Sequence, residues 1–193
     1  TFIAVLLPHV TRDFATRHGP PPGDGLVVLA MGKLGSGEMT AGSDLDLITI
    51  YDGGDAPSEG PRPLPPSTYY PRLTQALIAA LTAPTAEGTL YEVDMRLRPS
   101  GRSGPVAVAR TAFERYQREE AWVWEHMALC RSRVIAGSEE LGASVSGTVT
   151  EVLAARTGDD RVLPEACEMR ARLIEANAAS RANPWSLKHA EGG

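Results

Sequence analysis

The spacing of apolar residues divides the chain into strand-like and helix-like stretches. Residues 1–18 read as the end of a helix, or a connector, joined to upstream sequence. The run Gly19 to Gly25, with three consecutive prolines, cannot hold regular structure and is expected to be a linker or tight turn. Leu26 to Met31 is continuously apolar at strand length, the pattern of a buried strand. A glycine-rich corner follows, Gly32 to Glu38, and then a second strand from about Ser43 to Tyr51. Residues 53–66 are rich in proline and glycine and read as an exposed loop. Ser67 is the expected N-cap of a helix running to about Leu81. Tyr70, Leu73, Leu77, Ala80 and Leu81 give that helix one apolar face.

Beyond it, a two-residue alternation appears. Glu92, Asp94, Arg96 and Arg98 fall on one face of a third strand expected from Thr89 to Arg98, with Val93, Met95 and Leu97 behind them. Pro99 stops this strand. Val106 to Ala109 is expected as a short fourth strand, paired through the turn Pro99 to Gly104. Thr111 to Ile135 then reads as one long helix. At 100° per residue, Phe113, Tyr116, Trp124, Met127, Ala128 and Ile135 share a face, while Trp122 and Leu129 point the opposite way. Cover on two sides accounts for Trp122, Trp124 and His126 more simply than an adenine-stacking platform. Glu120 and Arg131 fall on the apolar face, either as a buried pair or turned toward a cleft. Two more helices are expected near 138–156 and 164–180.

Composition narrows the classes. A chain of 193 residues with 42% hydrophobic content can bury a core without disulfide or metal staples. Its net charge of −5 argues against the broad basic surface that duplex binding requires, so nucleic acid is not an expected partner. Cys130 and Cys167 lack paired spacing and the four histidines are scattered, which disfavours a disulfide framework and a zinc site and fits a reduced cytoplasm. No apolar run approaches the ~20 residues that span a bilayer, so no membrane is expected. The chain opens on Thr1 and is expected to be a piece of a longer polypeptide.

The sharpest chemical signal is Gly42-Ser43-Asp44-Leu45-Asp46-Leu47-Ile48. Alternation along a strand puts Asp44 and Asp46 on one face, about 7 Å apart, with Leu45 and Leu47 turned to the core. Their repulsion is costly unless a metal or proton relieves it, and magnesium prefers such hard oxygen ligands. A bare acidic-x-acidic pair is usually an ordinary strand end, and the same pattern serves sugar-nucleotide glycosyltransferases. Its surroundings sharpen it. Upstream, Gly35-Ser36 lies in the corner after a buried strand, where glycine lets backbone approach phosphate and a following helix N-terminus would face the anion. Lys33 adds a point charge there. Downstream, Asp94 would complete a three-carboxylate cluster for two metals, and Arg96 and Arg98 would grip phosphate or pair with the carboxylates. The plain alternative is a solvated sheet face whose charges pair with one another.

Three ordered blocks carry a family resemblance: Met31-Gly32-Lys33-Leu34-Gly35-Ser36-Gly37-Glu38-Met39 with Ser43-Asp44-Leu45-Asp46-Leu47, then Leu90 to Gly101, then Glu120 to Leu129. They resemble the glutamine synthetase adenylyltransferase/adenylyl-removing enzyme family, closely over residues 26–137 and loosely over 138–193, with Lys188 to Gly193 similar to the start of a further block. The resemblance implies an α+β, polymerase-β-like nucleotidyltransferase fold, a mixed sheet flanked by helices, followed by a helical segment. It implies a connector over 1–25, a catalytic domain over 26–137 and a helical region over 138–193. It further implies ATP as substrate, two magnesium ions on Asp44, Asp46 and Asp94, and a triphosphate met by Ser36 or Ser43. The family carries two catalytic halves. One moves AMP from ATP to a tyrosine of glutamine synthetase; the other removes it by phosphorolysis. The runs Tyr91 to Asp94 and Ala121 to His126 look more like the adenylylating half. A PII-type nitrogen signal protein and glutamine are the expected regulators, acting through regions outside this chain. A non-catalytic module that keeps the fold for binding is the third reading.

Overall fold

The computed structural model describes residues 1–40, 42–86, 88 and 91–176. Two long strands form its centre. β1 (Gly25–Ala30) and β2 (Leu45–Asp52) run antiparallel, with Gly25 opposite Asp52 and Ala30 opposite Leu47. The other edge of β2 carries two short parallel partners in sequence. β3 (Val93–Asp94) lies beside Leu45 and Asp46, and β4 (Ala107–Ala109) lies beside Thr49 to Tyr51. β5 (Arg133–Gly137) adds antiparallel to the outer edge of β1, so the sheet is mixed.

Helices cover both faces of this sheet, which is why β1 reads as unbroken apolar sequence. On one face α1 (Phe2–His18) and α3 (Pro66–Leu81) pack over Leu26, Val28, Leu45 and Leu47. On the other, α4 (Arg110–Glu119), α5 (Val123–Leu129) and α6 (Glu139–Ala155) pack over Val27, Leu29, Ile48 and Ile50. Successive strand residues enter opposite clusters, as the period of two demands. α7 (Val162–Ala176) lies against α5. Among the described residues no helix is long and apolar enough to cross a membrane, and both cysteines are unpaired.

Several elements differ from the sequence expectation. α3 begins one residue before Ser67, with Pro65 at the cap and Pro66 at the first helical position. Proline there brings a preset φ and lacks the N–H that would need a cap, so no side-chain oxygen is required. The third strand is far shorter than Thr89 to Arg98. It ends at Asp94, whose carboxylate captures the Arg96 N–H at 2.8 Å and turns the chain; residues 89 and 90 lie outside the described residues. The fourth strand pairs with β2 rather than with the third, and Thr49 secures its approach by donating to the Val106 carbonyl at 2.9 Å.

The single long helix from Thr111 to Ile135 does not form. α4 ends at Glu119, the backbone is extended at Trp122, α5 is a separate helix, and residues 133–137 are β5. Glu125 accounts for the break. One oxygen accepts the Trp122 N–H at 2.9 Å, and the other accepts the Tyr116 hydroxyl at 2.8 Å, so a single carboxylate caps α5 and ties it to α4. Two-sided packing therefore explains His126, which is buried, but not Trp122 or Trp124, which are 67% and 37% exposed. His126 Nε2 lies 2.9 Å from the Gln117 carbonyl, while Nδ1 accepts from Arg156 at 3.1 Å. Only the tautomer with the proton on Nε2 satisfies both. α6 and α7 fall close to their expected positions; the end of the last expected helix, 177–180, lies outside the described residues.

Tyr69 and Tyr70, both fully buried on α3, pin the proline-rich linker through hydrogen bonds to the carbonyls of Gly19 and Pro22. Burial pushes the Tyr69 phenol up to about 12, and Tyr70 higher still. A phenol in the unfolded chain ionises near pH ~10. The folded values are raised, so the contribution is complete below about pH 10 and is lost as pH climbs toward the folded values. Alkaline titration followed by phenolate absorbance should show these two ionising only as the fold opens. A Tyr69→Phe/Tyr70→Phe variant should lose roughly 1–3 kcal/mol at neutral pH yet fall away less steeply above pH ~10.

Candidate active site

The even positions of β2 explain where the acidic residues emerge. Ile48 and Ile50 lie under α4 to α6, and Asp46 continues the same face one step further, where the helical cover ends. Asp44 sits just before the strand and is exposed, while Asp46 is half-buried. The parallel register sets Asp46 directly beside Asp94. Paired residues of neighbouring strands share a face. Asp44 and Asp94 line one cleft of about 400 Å³, together with Glu92, Met95, Arg96, Arg98 and Arg102. A larger groove of about 890 Å³, between α1 and α6, is mostly apolar and lies away from the carboxylates.

The cleft holds its own cations. Arg96 donates from Nε to Asp94 Oδ2 at 2.6 Å and pairs with it again through its terminal nitrogen. Hydrogen bonding to Arg96 holds the Asp94 carboxyl below the usual carboxylate range, against a smaller opposing effect of burial. Arg96 is in turn held charged by Asp94 first, with Asp46 and Asp44 adding to it. Arg98 does something else. Expected beside Arg96 on a strand, it stands in the following turn and donates to the backbone carbonyls of Met95, Arg102, Gly104 and Pro105. Its fork organises the loop that walls the cleft.

The glycine-rich corner is itself a helix, α2 (Gly32–Ser36), rather than a loop preceding one. Its glycines serve two purposes. A side chain at Gly32, where φ is +53°, would stand 2.7 Å from Asp46 Oδ2, so this glycine lets the carboxylate lie against the corner. Gly35 is buried, and a Cβ there would stand 2.0 Å from the Arg131 carbonyl. Close packing, not phosphate approach, requires that glycine. Ser36 is at the exposed end: its hydroxyl reaches Gly32 O at 3.1 Å and Glu38 at 3.0 Å, and accepts from Arg131 at 2.9 Å. Arg131 also pairs with Glu38. Lys33 reaches Thr40 at 3.5 Å, and Thr40 exchanges hydrogen bonds with Ser43 at 2.8 and 3.1 Å. Lys33 and Ser43 are thereby joined through one threonine.

The structure thus gathers Asp44, Asp46, Asp94 and Arg96 at one end of the sheet, with Lys33, Ser36 and Ser43 on the adjoining corner. Arg98 lines the same cleft, with its guanidinium hydrogen-bonded to the carbonyls of the following loop. Sequence reasoning missed Gly32, Arg102 and the placement of Arg131. The last was hidden by the single-helix assignment, which put Arg131 on a helix face and not after α5. Glu125, three residues past the break, was the available signal. Donor chemistry in the cleft suits a small divalent cation, since all three aspartates offer hard oxygens. Among the described residues, however, no three acidic, histidine or cysteine side chains are gathered at ligating distance; Asp94 is turned onto Arg96 instead.

A mixed sheet flanked by helices, with paired aspartates at its open end beside a Gly-Ser corner, is compatible with a nucleotidyltransferase-like domain. The chain belongs to the glutamate-ammonia ligase adenylyltransferase family, whose sequence profile matches residues 1–148. It is similar to proteins named bifunctional glutamine synthetase adenylyltransferase/adenylyl-removing enzyme. It is 52% identical to that of Mesorhizobium japonicum over 193 residues and 49% identical to that of Agrobacterium fabrum, each across 99% of the chain. It is 53% identical to that of Brucella suis across 95% of the chain. The chain spans 19% of the length of each of these relatives.

Two substitutions test this local geometry. Gly35→Ala should lower the urea unfolding free energy by about 1–3 kcal/mol, because the Arg131 carbonyl must move; an unchanged midpoint would contradict the packing role. Arg98→Lys keeps the charge but loses the fork. Amide exchange across residues 95–105 should quicken several-fold while exchange in β1 stays unaltered.

Proposed function

We propose that this chain is the adenylylating catalytic unit of its family, moving AMP from ATP to a tyrosine hydroxyl of glutamine synthetase with release of pyrophosphate. The observation that carries this reading is the pairing of Asp46 with Asp94, with Asp44 at the mouth of the same cleft. A polymerase-β-like fold over residues 26–137, with α1 before it and α6 and α7 after it, suits this arrangement. The relatives' names join adenylyltransferase and adenylyl-removing activities to glutamine synthetase. The likeness of Tyr91 to Asp94 and Ala121 to His126 to the adenylylating half favours this direction.

Asp44, Asp46 and Asp94 are the residues that would hold two magnesium ions. Bound magnesium supplies charge stabilisation at the phosphates and lowers the pKa of the attacking hydroxyl, which for free tyrosine is about 10. The chain's own groups do the rest. Lys33, Ser36, Ser43 and Arg131 line the corner where the triphosphate is received, with Arg131 released from Glu38 for the purpose. That release is inexpensive, because both partners are largely exposed. The acidified tyrosine hydroxyl gives its proton to solvent water; its oxygen attacks the α-phosphorus, the bond to the bridging oxygen breaks, and pyrophosphate departs. Asp94 is a poor proton acceptor in this scheme, since its carboxylate oxygens would be committed to the bound cation. Its role is to ligate, not to deprotonate.

The test is incubation with glutamine synthetase, magnesium and α-labelled ATP. Label should appear on the synthetase, and Asp44→Asn or Asp46→Asn should reduce its rate about 100-fold or more without altering the thermal melt. Label transfer by a folded double variant at the parent rate would defeat the assignment. If label is instead lost from adenylylated synthetase when phosphate is added, and none is gained from ATP, the chain is the removing half. Nucleotide binding that ignores both magnesium and the aspartates would mark a non-catalytic module.

A further inference from the structure

We infer that Arg96 is a resident counter-cation of the acidic cleft, which holds Asp94 until metal and nucleotide arrive and then passes to the nucleotide's phosphates. The inference rests on the function proposed above and assigns this side chain two successive partners.

The bonds that Arg96 makes to Asp94 are of two kinds. Its backbone N–H donates to Oδ1 at 2.8 Å, and its side chain holds Oδ2 through Nε at 2.6 Å. The first bond belongs to the turn that ends β3 and stays while the fold stays. The second depends on a side chain that is 61% exposed, against 16% for Asp94. Withdrawal of the guanidinium therefore frees Oδ2 and leaves the carboxylate aimed by its other oxygen. Exposed ion pairs open at little cost.

The place that Arg96 fills is one that calls for a cation. Asp46 and Asp94 are fixed side by side by backbone register, and Asp44 lines the same wall. The positive charge of Arg96 is stabilised by Asp94, and also by Asp46 and Asp44. One guanidinium thus pairs with Asp94 and stands near Asp46 and Asp44. A planar fork that fits a carboxylate fits a phosphate equally well. Arg98 offers the contrast, since its guanidinium is held by four backbone carbonyls of its own loop and pairs with no carboxylate in the cleft among the described residues. If Arg96 were instead a permanent brace, its removal would leave Asp94 less well held and metal binding no stronger.

The experiment measures two affinities in the full chain and in Arg96→Gln, a substitution at an exposed side chain that leaves the core untouched. Free Mn²⁺ is titrated alone by electron paramagnetic resonance. The α,β-methylene analogue of ATP is then titrated at saturating Mn²⁺. Arg96→Gln should bind Mn²⁺ alone about tenfold more tightly and the analogue about tenfold more weakly. The opposite signs are the signature of exchange. Mn²⁺ affinity that is unchanged or reduced in Arg96→Gln overturns the proposal, as does analogue affinity that rises. Adding Asp94→Asn should erase the Mn²⁺ gain; a gain that persists would come from bulk charge and would also overturn it. If the parent chain binds the analogue equally with and without Mn²⁺, the metal-nucleotide reading itself falls. If that parent dependence is intact and Arg96→Gln moves neither affinity, only the exchange falls.

Discussion

Two aspartates stand side by side because the hydrogen bonds of neighbouring strands put them there, and the rest of the cleft is organised around their repulsion. Strand spacing separates the paired positions by ~5 Å, where two unit charges at an effective dielectric of ~20 repel by about 3 kcal/mol before solvent screening. The register cannot relax to relieve this, since Leu45 and Leu47 are buried in the same stretch and a slip of one residue would turn them outward. A cation at that point relieves the repulsion. In this structure the chain supplies it from Arg96. The short length of β3 follows from the same demand, because the turn that brings Arg96 back onto Asp94 ends the strand.

Position along the sheet determines what each face can do. Both faces of β1 and the middle of β2 are covered by helices, which makes them core. Cover ends near Asp46, and there the strand's own alternation delivers carboxylates to solvent. The break between α4 and α5 contributes from the other side. It shortens α5 so that the chain turns back at Arg131, whose carbonyl seats Gly35 and whose guanidinium reaches Ser36. A continuous helix would carry Arg131 elsewhere. A capping carboxylate at Glu125 and a glycine at position 35 are thus parts of one device, though 90 residues separate them in sequence.

The sequence made the central elements legible where burial was strong. β1, β2, α3 and α6 were found where the sequence placed them, and the laying of Asp94 beside the strand of Asp46 was expected from alternation together with family resemblance. Legibility failed where side chains, not periodicity, decided the backbone. The charged alternation from Glu92 to Arg98 satisfies a strand pattern over its whole length, but Asp94 competes for the Arg96 N–H and wins. Arg98 satisfies four carbonyls at once, an outcome that spacing does not encode. The α4–α5 break contains neither glycine nor proline, so its cause was a tertiary hydrogen bond from Tyr116 as well as the local cap at Trp122. Trp122 and Trp124 followed the helix into error, since a face computed through a break is not a face.

On the proposed reading an acidic chain receives a polyanion, which looks contradictory only if charge is counted over the whole molecule. The net charge of −5 argues against an extended phosphate backbone, which is held by many cations spread over a surface. A single triphosphate needs only a few, and here they are local: Arg96 and Arg102 on the cleft, Lys33 and Arg131 on the corner. Two of these four, Arg96 and Arg131, are already paired with carboxylates. On the proposed reading such pairing keeps the cleft close to neutral while it waits, so that neither a stray anion nor a stray cation is strongly favoured. A metal-bound nucleotide differs from both in bringing the two signs together. It alone can take the carboxylates and the guanidiniums in the same event, which makes selectivity for the complex a consequence of the ion pairs it must displace.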